Sequence, residues 1–492
     1  MSGLLHCDPL LITINWNQKM QTIEADVVII GGGGTGLPAA LTTIEGGIKR
    51  VILVEKRRAL GGNASMAGGF LFAAESKRQK EVNGEMDRDA VFKETMAFHH
   101  FDRIKPRLLR VFIDKSAETI EWLEDRGAAF KFGHVESMAV HILEGMKAPV
   151  GGFSRVIRLL GDKFQKEGGQ LLLNTAAERI VCSEDGKIQK VIAKNKNAET
   201  VEISTNCVIL GSGGFTGNRE LLKRYFPDHY DDVYWTDSVP NMGEGIQMAT
   251  DAGAGLDDRC TLVRETTYSF ETKKSMPNRA GMEPRSIWVN NRGERFADES
   301  IYMDNMATNA LVAQPGMLGF ALFDNDLIDY MVKNPSPVLG PDPVSIRDIF
   351  ELEAQTGEWC AVANTFDQLA SWMGADREVL KATIEEYNGF CESGRDALFA
   401  KDKRHLFPLL KAPFYALKFR PLMVETVGPV QINEKMQVLD KLGSIVPGFF
   451  AGGAITGGWQ GNDYHLFGSA LGWAINSGRI AGENAIRFLQ EK

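Results

Sequence analysis

Residues 25 to 41 read ADVVIIGGGGTGLPAAL, and this stretch decides the fold. Val27 to Ile30 is a short β-branched run that reads as a buried strand. Gly31-x-Gly33-x-x-Gly36 follows at once and opens into Leu37-Pro38-Ala39-Ala40-Leu41 as helix. The glycines divide the mechanics among them. Gly31 makes the tight turn, Gly33 lets a pyrophosphate approach the backbone, and Gly36 lets helix pack on strand. Amides at the helix N-terminus, including those of Gly34 and Thr35, then face the phosphates.

A second apolar run, Arg50-Val51-Ile52-Leu53-Val54, ends in Glu55, 55 − 36 = 19 residues past the last glycine. That is where a carboxylate is needed for ribose hydroxyls, with Lys56 beside it. Gly61-Gly62-Asn63-Ala64-Ser65 and Ala67-Gly68-Gly69-Phe70 put small residues where a chain must run close to a bulky planar ring, a need that FAD creates and a nicotinamide does not. Gly211-Ser212-Gly213-Gly214-Phe215-Thr216 ends in threonine where the third glycine of a second fingerprint belongs. Pyridine nucleotide therefore has no dedicated site in the sequence, and an external electron donor or acceptor is expected.

The chain has 492 residues, enough for two domains, and 44% apolar with 24% charged residues is a globular composition. A formal charge of −9 opposes binding to nucleic acid or an anionic membrane surface. Cys7, Cys182, Cys207, Cys260, Cys360 and Cys391 show no CxxC pair, so the reading is reduced cysteines in a cytoplasmic protein. No apolar run reaches the roughly 18 residues of a membrane span. Residues 1 to 19 lack a basic region and a cleavage site and read as a tail, with Met20 as an alternative start. His99 and His100 before Asp102 lack companion ligand spacing, so no metal is expected.

Residues 25 to 76, VILGSGGF at 208 to 215, IVPGFFAGGAITGG at 445 to 458 and GSALGWAINSGRIAGENA at 468 to 485 together resemble the flavoproteins of the fumarate reductase, succinate dehydrogenase and 3-ketosteroid dehydrogenase superfamily. The resemblance spans nearly the whole chain. It implies an α/β, Rossmann-like FAD-binding domain of the glutathione-reductase-like type with an inserted α+β capping domain. The expected division is a tail at 1–19, the FAD domain at 20–261 and 411–492, and the cap at 262–410. Within the cap, Asp376 reads as a helix N-cap followed by Leu380, Ile384 and Tyr387 on one apolar face. Further FAD contacts implied by the resemblance are Ala177, Gly211, Ser212, Gly213, Gly453, Ala454, Gly468, Ser469, Ala470 and Leu471. Relatives that attach flavin covalently use a histidine after the second strand. Residues 56 to 76 hold none, which implies non-covalent FAD.

The resemblance also implies where substrate lies. Fumarate reductases grip a dicarboxylate with an arginine before the last helix, two histidines and a proton-donating cap arginine. Those places hold His465, Glu425, Glu265 and Met303 here. Two carboxylates in place of two imidazoles would repel a dianion. The 3-ketosteroid dehydrogenases hold a ketone oxygen with a tyrosine hydroxyl and a backbone amide four residues on, and Tyr464 and Gly468 stand at that spacing. Hydride exchange at the β-carbon of an enone places charge on the carbonyl oxygen, where fixed donors lower the barrier. Tyr302, His465 and Tyr268 are candidates for the α-carbon proton, and Met303, Met306 and Met317 for an apolar pocket wall. The leading expectation is reduction, or desaturation in reverse, of a C=C bond conjugated to a ketone in a small-molecule substrate. A second is an unsaturated-acid reductase whose anion site uses Arg264, Arg285 or Arg295. A third, a flavin electron carrier without its own substrate, fits poorly with so large a cap.

Overall fold

The computed structural model describes residues 21–84, 86–135, 138–145, 152–227, 241–267, 278–281, 283–301, 305–334, 345–461 and 463–491. The expected tail at 1–19 and the alternative start at Met20 lie outside these.

Val27–Ile30 is a strand buried at all four positions. It lies inside a six-stranded sheet in the order Gln437–Leu439, Ile445–Ala451, Val208–Leu210, Val27–Ile30, Val51–Val54, Gln170–Leu172. Every neighbouring pair is parallel except the first, and the three inner strands Val208–Leu210, Val27–Ile30 and Val51–Val54 are apolar and buried at every position, as in a sheet covered on both faces. Helix Gly36–Glu45 leaves the first strand at the glycine turn. The C-terminal helix, Ser469–Gln490, packs against it through small residues. A Cβ on Gly482 would stand 2.8 Å from the Ala39 carbonyl oxygen, and one on Gly478 would press into the Thr35 backbone. The small-residue composition of this helix is thus the condition for two backbones to touch, which holds helix N-terminus and glycine turn together.

The other two FAD-side sheets are smaller: Gln21–Glu24, Thr200–Ser204, Ile188–Asn195, Thr175–Cys182 in one, and Phe70–Leu71, Met138–Leu143, Phe130–Val135 in the other. The cap is built on Thr261–Thr267, Phe414–Val427, Gly319–Phe323 and Ile287–Asn290, with Cys360–Ala363 also paired to Phe414–Val427. Alternation along Ile287–Asn290 divides the cap core into two: Trp288 joins Phe323, Tyr415 and Phe419 on one face, while Ile287 and Val289 join Leu380, Ile384 and Tyr387 on the other. Asp376 caps the second group's helix, accepting from the Glu378 and Val379 amides. Strand Phe414–Val427 runs from one domain into the other. Tyr415, Leu417 and Phe419 pack in the cap, and Met423 and Val427 in the FAD-side core, so the cap core continues past the expected limit at 410.

Among the described residues no helix is long and apolar enough to cross a membrane, and no group of three or more His, Cys, Asp or Glu side chains could hold a metal.

The packing predicts opposite signs for two glycine-to-alanine changes. Gly478→Ala should cost roughly 1 to 3 kcal/mol, the scale of overpacking. Gly389→Ala, in the exposed part of helix Arg377–Ser393 with nothing within 4 Å of its would-be Cβ, should gain roughly 0.5 to 1 kcal/mol. Thermal melting of the two variants beside wild type checks both signs.

Candidate active site

The glycine turn, the second strand and the C-terminal helix form one cradle. Gly36 cannot carry a Cβ, which would collide with the Gly31 carbonyl, and Gly31 itself holds φ +100°. Gly33 differs. A Cβ there would meet only Gly61, at 3.6 Å and beyond, so the protein leaves the space above this residue open. A Cβ on Gly34 would stand 2.9 Å from Ala64 and 3.3 Å from Ala474, which sets the turn between the 62–65 loop and the last helix. Glu55, buried, accepts 2.8 Å hydrogen bonds from the Gly32 and Arg57 amides, so its carboxylate is fixed at the rim of the turn. Lys56 beside it is paired with Glu244 at 2.6 Å.

Asn63 Oδ1 and Ser212 Oγ are buried without a hydrogen-bond partner among the described residues. Buried polar atoms normally have partners, and these two stand where the sequence places a dinucleotide. Gly453 backs onto Thr35, and the Gly453 amide donates to Ser477 Oγ at 2.9 Å. Open space at Gly33, a fixed carboxylate at Glu55 and two orphaned oxygens fit FAD.

The Tyr464 segment closes the cradle. Gly468 adopts φ +81° at the N-cap of helix Ser469–Gln490, and a Cβ there would strike Phe72 N at 2.8 Å. Its own side chain being absent, capping falls to Tyr464. The phenol oxygen accepts from the Gly468 amide at 2.9 Å and from the Ala470 amide at 3.5 Å. This differs from the expected pair of parallel donors on one oxyanion. An N–H has one proton, and that of Gly468 is directed to the phenol. The two groups stand in series, with the helix N-terminus polarising the Tyr464 hydroxyl.

His465 stacks on Phe98 with ring centres 4.2 Å apart and planes at 21°. His99, next in sequence to Phe98, is buried against Gly461, and burial, reinforced by the nearby His465, lowers its pKa to about 4. His99 is therefore neutral near pH 7. Asp463 accepts from the Tyr464 amide at 3.0 Å through Oδ1 and from Asn309 Nδ2 at 2.6 Å through Oδ2. Asn309 Oδ1 in turn accepts from Arg264 at 2.8 Å. Sequence reasoning misses Asp463, Asn309 and Phe98. Asp463 is visible as an acid beside Tyr464, but nothing in the sequence marks Asn309, whose partner is 154 residues away.

Glu425 lies on the shared strand. Val263 pairs with Glu425 but Arg264 pairs with Met423, so Val424 is an extra residue, a bulge of the kind that re-aims side chains beside active sites. Thr426 anchors the strand to the FAD side, its hydroxyl accepting from the Phe215 amide at 2.8 Å. Burial pushes the Glu425 carboxyl up to about 7. Some of its surface still faces solvent. The expected repulsion of a dianion thus weakens as pH falls below 7.

Of the remaining expected residues, Glu265 lies on strand Thr261–Thr267 opposite Leu422. Its side chain, and Tyr268, Tyr302 and Met303, lie outside the described residues. Met306 is exposed. Two of the three arginines expected for an anion site are held elsewhere. Arg295 is buried between Glu299 and Asp396, at 2.8 Å from each, and Arg285 pairs with Glu283 at 2.6 Å while lying over Tyr330. Both carry charge already matched inside the cap, where an incoming carboxylate has no access to Arg295.

Residues 26–470 match the family model described as an FAD binding domain. A vinyl phenol reductase from Lactiplantibacillus plantarum is 30% identical, the alignment covering 95% of this chain and 97% of that one. The open conformation of a flavocytochrome c3 fumarate reductase superposes with a TM-score of 0.74 at 25% identity, covering 95% of this chain and 79% of the other. A 3-ketosteroid-Δ4-(5α)-dehydrogenase from Rhodococcus jostii RHA1 has the same fold, with a TM-score of 0.73 at 22% identity over 96% of this chain and 98% of the other.

The raised carboxyl gives a pH-dependent prediction. Because the folded pKa of Glu425 lies above its ordinary value, the stabilisation linked to its proton is full below about pH 4.5 and is lost as pH rises through about 7. Glu425→Gln should match wild type near pH 4.5 and exceed it at pH 8 by on the order of 1 to 3 kcal/mol, measured as melting against pH.

Proposed function

The chain belongs to the FAD-binding-domain flavoproteins, in the superfamily of the fumarate reductases and 3-ketosteroid dehydrogenases, and from that membership we propose that it exchanges hydride between FAD and a C=C bond conjugated to a ketone. It is an FAD-dependent oxidoreductase. Bound FAD supplies, or in the reverse direction accepts, the hydride at N5.

The observation that carries the proposal is the Tyr464 phenol seated on the helix N-terminus. Hydride arriving at the β-carbon builds negative charge on the conjugated oxygen. A phenol whose oxygen already accepts from the Gly468 and Ala470 amides is a strengthened donor through its own proton. That interaction grows as charge develops, so it lowers the barrier more than it aids ground-state binding. His465, its ring held by Phe98, is proposed to handle the α-carbon proton, with Tyr302 and Tyr268 as the other proposed donors. Glu425, with Glu265 and Met303, is proposed to wall the substrate pocket, where the partly ionised Glu425 carboxyl favours a neutral molecule. A vinyl phenol carries no carboxylate, so the activity named for the vinyl phenol reductase supports a neutral substrate here. The cradle residues described above, Gly31 to Gly36, Glu55, the 62–65 loop, 68–69, Ala177, 211–213, 453–454 and 468–471, are proposed to hold FAD without a covalent bond, as no histidine lies in 56 to 76.

One observation favours a second reading. Arg264 reaches the Tyr464 segment through Asn309, so a cation does stand near the site, and the neutral form of Glu425 would tolerate a monoanion below pH 7. An unsaturated monocarboxylate is the substrate on that reading.

Tyr464→Phe should lower the rate of hydride transfer by about 10² to 10³, with substrate affinity changing much less. Rapid mixing of the reduced protein with an enone, followed at the flavin absorbance, measures both. A variant with the full rate at every pH removes Tyr464 from the chemistry.

A further inference from the structure

We infer that Asn309 is a positioning residue that fastens the Tyr464 segment to the cap, so that docking the cap and setting the phenol are one event. The inference rests on the reading of Tyr464 as the donor. Asn309 sits on helix Asn305–Val312, which the fully buried Ala307 and Leu311 fix in the cap core. Asp463 sits in the segment leading to the C-terminal helix, on the FAD side. The bond between them, 2.6 Å from Asn309 Nδ2 to Asp463 Oδ2, therefore crosses the junction of the domains.

The chemistry of the chain of bonds fixes its sense. A guanidinium only donates and a carboxylate only accepts, whereas an amide does one at each end. Arg264 donates to Asn309 Oδ1 at 2.8 Å, Asn309 donates to Asp463, and Asp463 Oδ1 receives the Tyr464 amide at 3.0 Å. Asn309 is thus a neutral adapter between a cation and an anion, and the second oxygen of that anion holds the backbone of Tyr464. Strand Thr261–Thr267, which carries Arg264, pins the same segment once more: Thr261 Oγ1 donates to the Gly461 carbonyl at 2.6 Å. With two fastenings on this short stretch, the phenol reaches the helix N-terminus from a fixed backbone. Without the Asn309 bond, the segment loses its tie to helix Asn305–Val312 and keeps the one to Thr261.

Reversing the polarity of the bond tests this. Asn309→Asp sets a carboxylate against the Asp463 carboxylate, and Asp463→Asn presents an amide to an amide. In the double variant Asn309→Asp/Asp463→Asn, the amide at 463 donates to the carboxylate at 309, Arg264 still has an acceptor, and the Tyr464 amide keeps the 463 side-chain oxygen. Hydrogen–deuterium exchange of the oxidised holoprotein, without substrate, reads the state of residues 461–467. Reoxidation of the reduced holoprotein by cyclohex-2-enone reads the chemistry.

Each single variant should lose exchange protection in 461–467 and slow reoxidation roughly tenfold or more, and the double variant should return to within about threefold of wild type in both, the signature of a direct pair. Singles that leave protection unchanged, or a double variant as impaired as the two singles combined, overturn the inference. Exchange rescued by the swap while Tyr464→Phe is kinetically silent upholds the fastening and removes the phenol from the chemistry instead.

Discussion

Everything in this molecule depends on backbone meeting backbone at the glycine turn. Gly36 lies against the Gly31 carbonyl, Gly31 against Gly211, and Gly478 of the last helix against Thr35. None of these contacts tolerates a Cβ, so segments far apart in sequence are drawn into one cradle. Glycine in a helix interior is unfavourable by about 1 kcal/mol relative to alanine. Here the loss is offset by close packing along the helix pair. At Gly33 the chain instead leaves space open, which is where the proposed dinucleotide would approach the backbone.

That cradle fixes the helix N-terminus, and the helix N-terminus sets the electrostatics of the site. With glycine at the N-cap, no side chain of the helix itself satisfies its first amides. Tyr464 does so from four residues earlier. A group placed to satisfy a structural deficit is also polarised by it, so local helix physics and proposed catalysis share one hydrogen bond. Charge elsewhere follows a different rule. Inside the cap, Arg295, Glu299, Lys401 and Asp396 are matched among themselves, with Lys401 to Glu299 at 2.9 Å, and serve packing. Glu425, with no such partner among the described residues, responds to burial by holding its proton.

The sequence is legible where physics is local or periodic. The strand at Val27–Ile30, the glycine turn, Glu55 at its spacing and the Asp376 cap each follow from a few adjacent residues. Long-range facts are not. Arg295 looks available for an anion because nothing in its neighbourhood announces Asp396, 101 residues on. Gly468 looks like a donor to substrate because a sequence does not show where an amide points. Asn309 carries no signal, since a polar residue on a short helix reads as surface. The cap limit at 410 is what the resemblance implies, but strand Phe414–Val427 packs in both cores, and no composition step marks the residue at which it passes between them.

The most direct test of the account is which molecules reoxidise the flavin. The purified protein is photoreduced without oxygen at pH 7.5 and mixed separately with neutral enones, unsaturated monocarboxylates and fumarate, with the return of flavin absorbance recorded against buffer alone. The account predicts rapid reoxidation by a neutral enone of fitting shape and none above buffer by fumarate. Rapid reoxidation by fumarate, with every neutral enone inert, would contradict it.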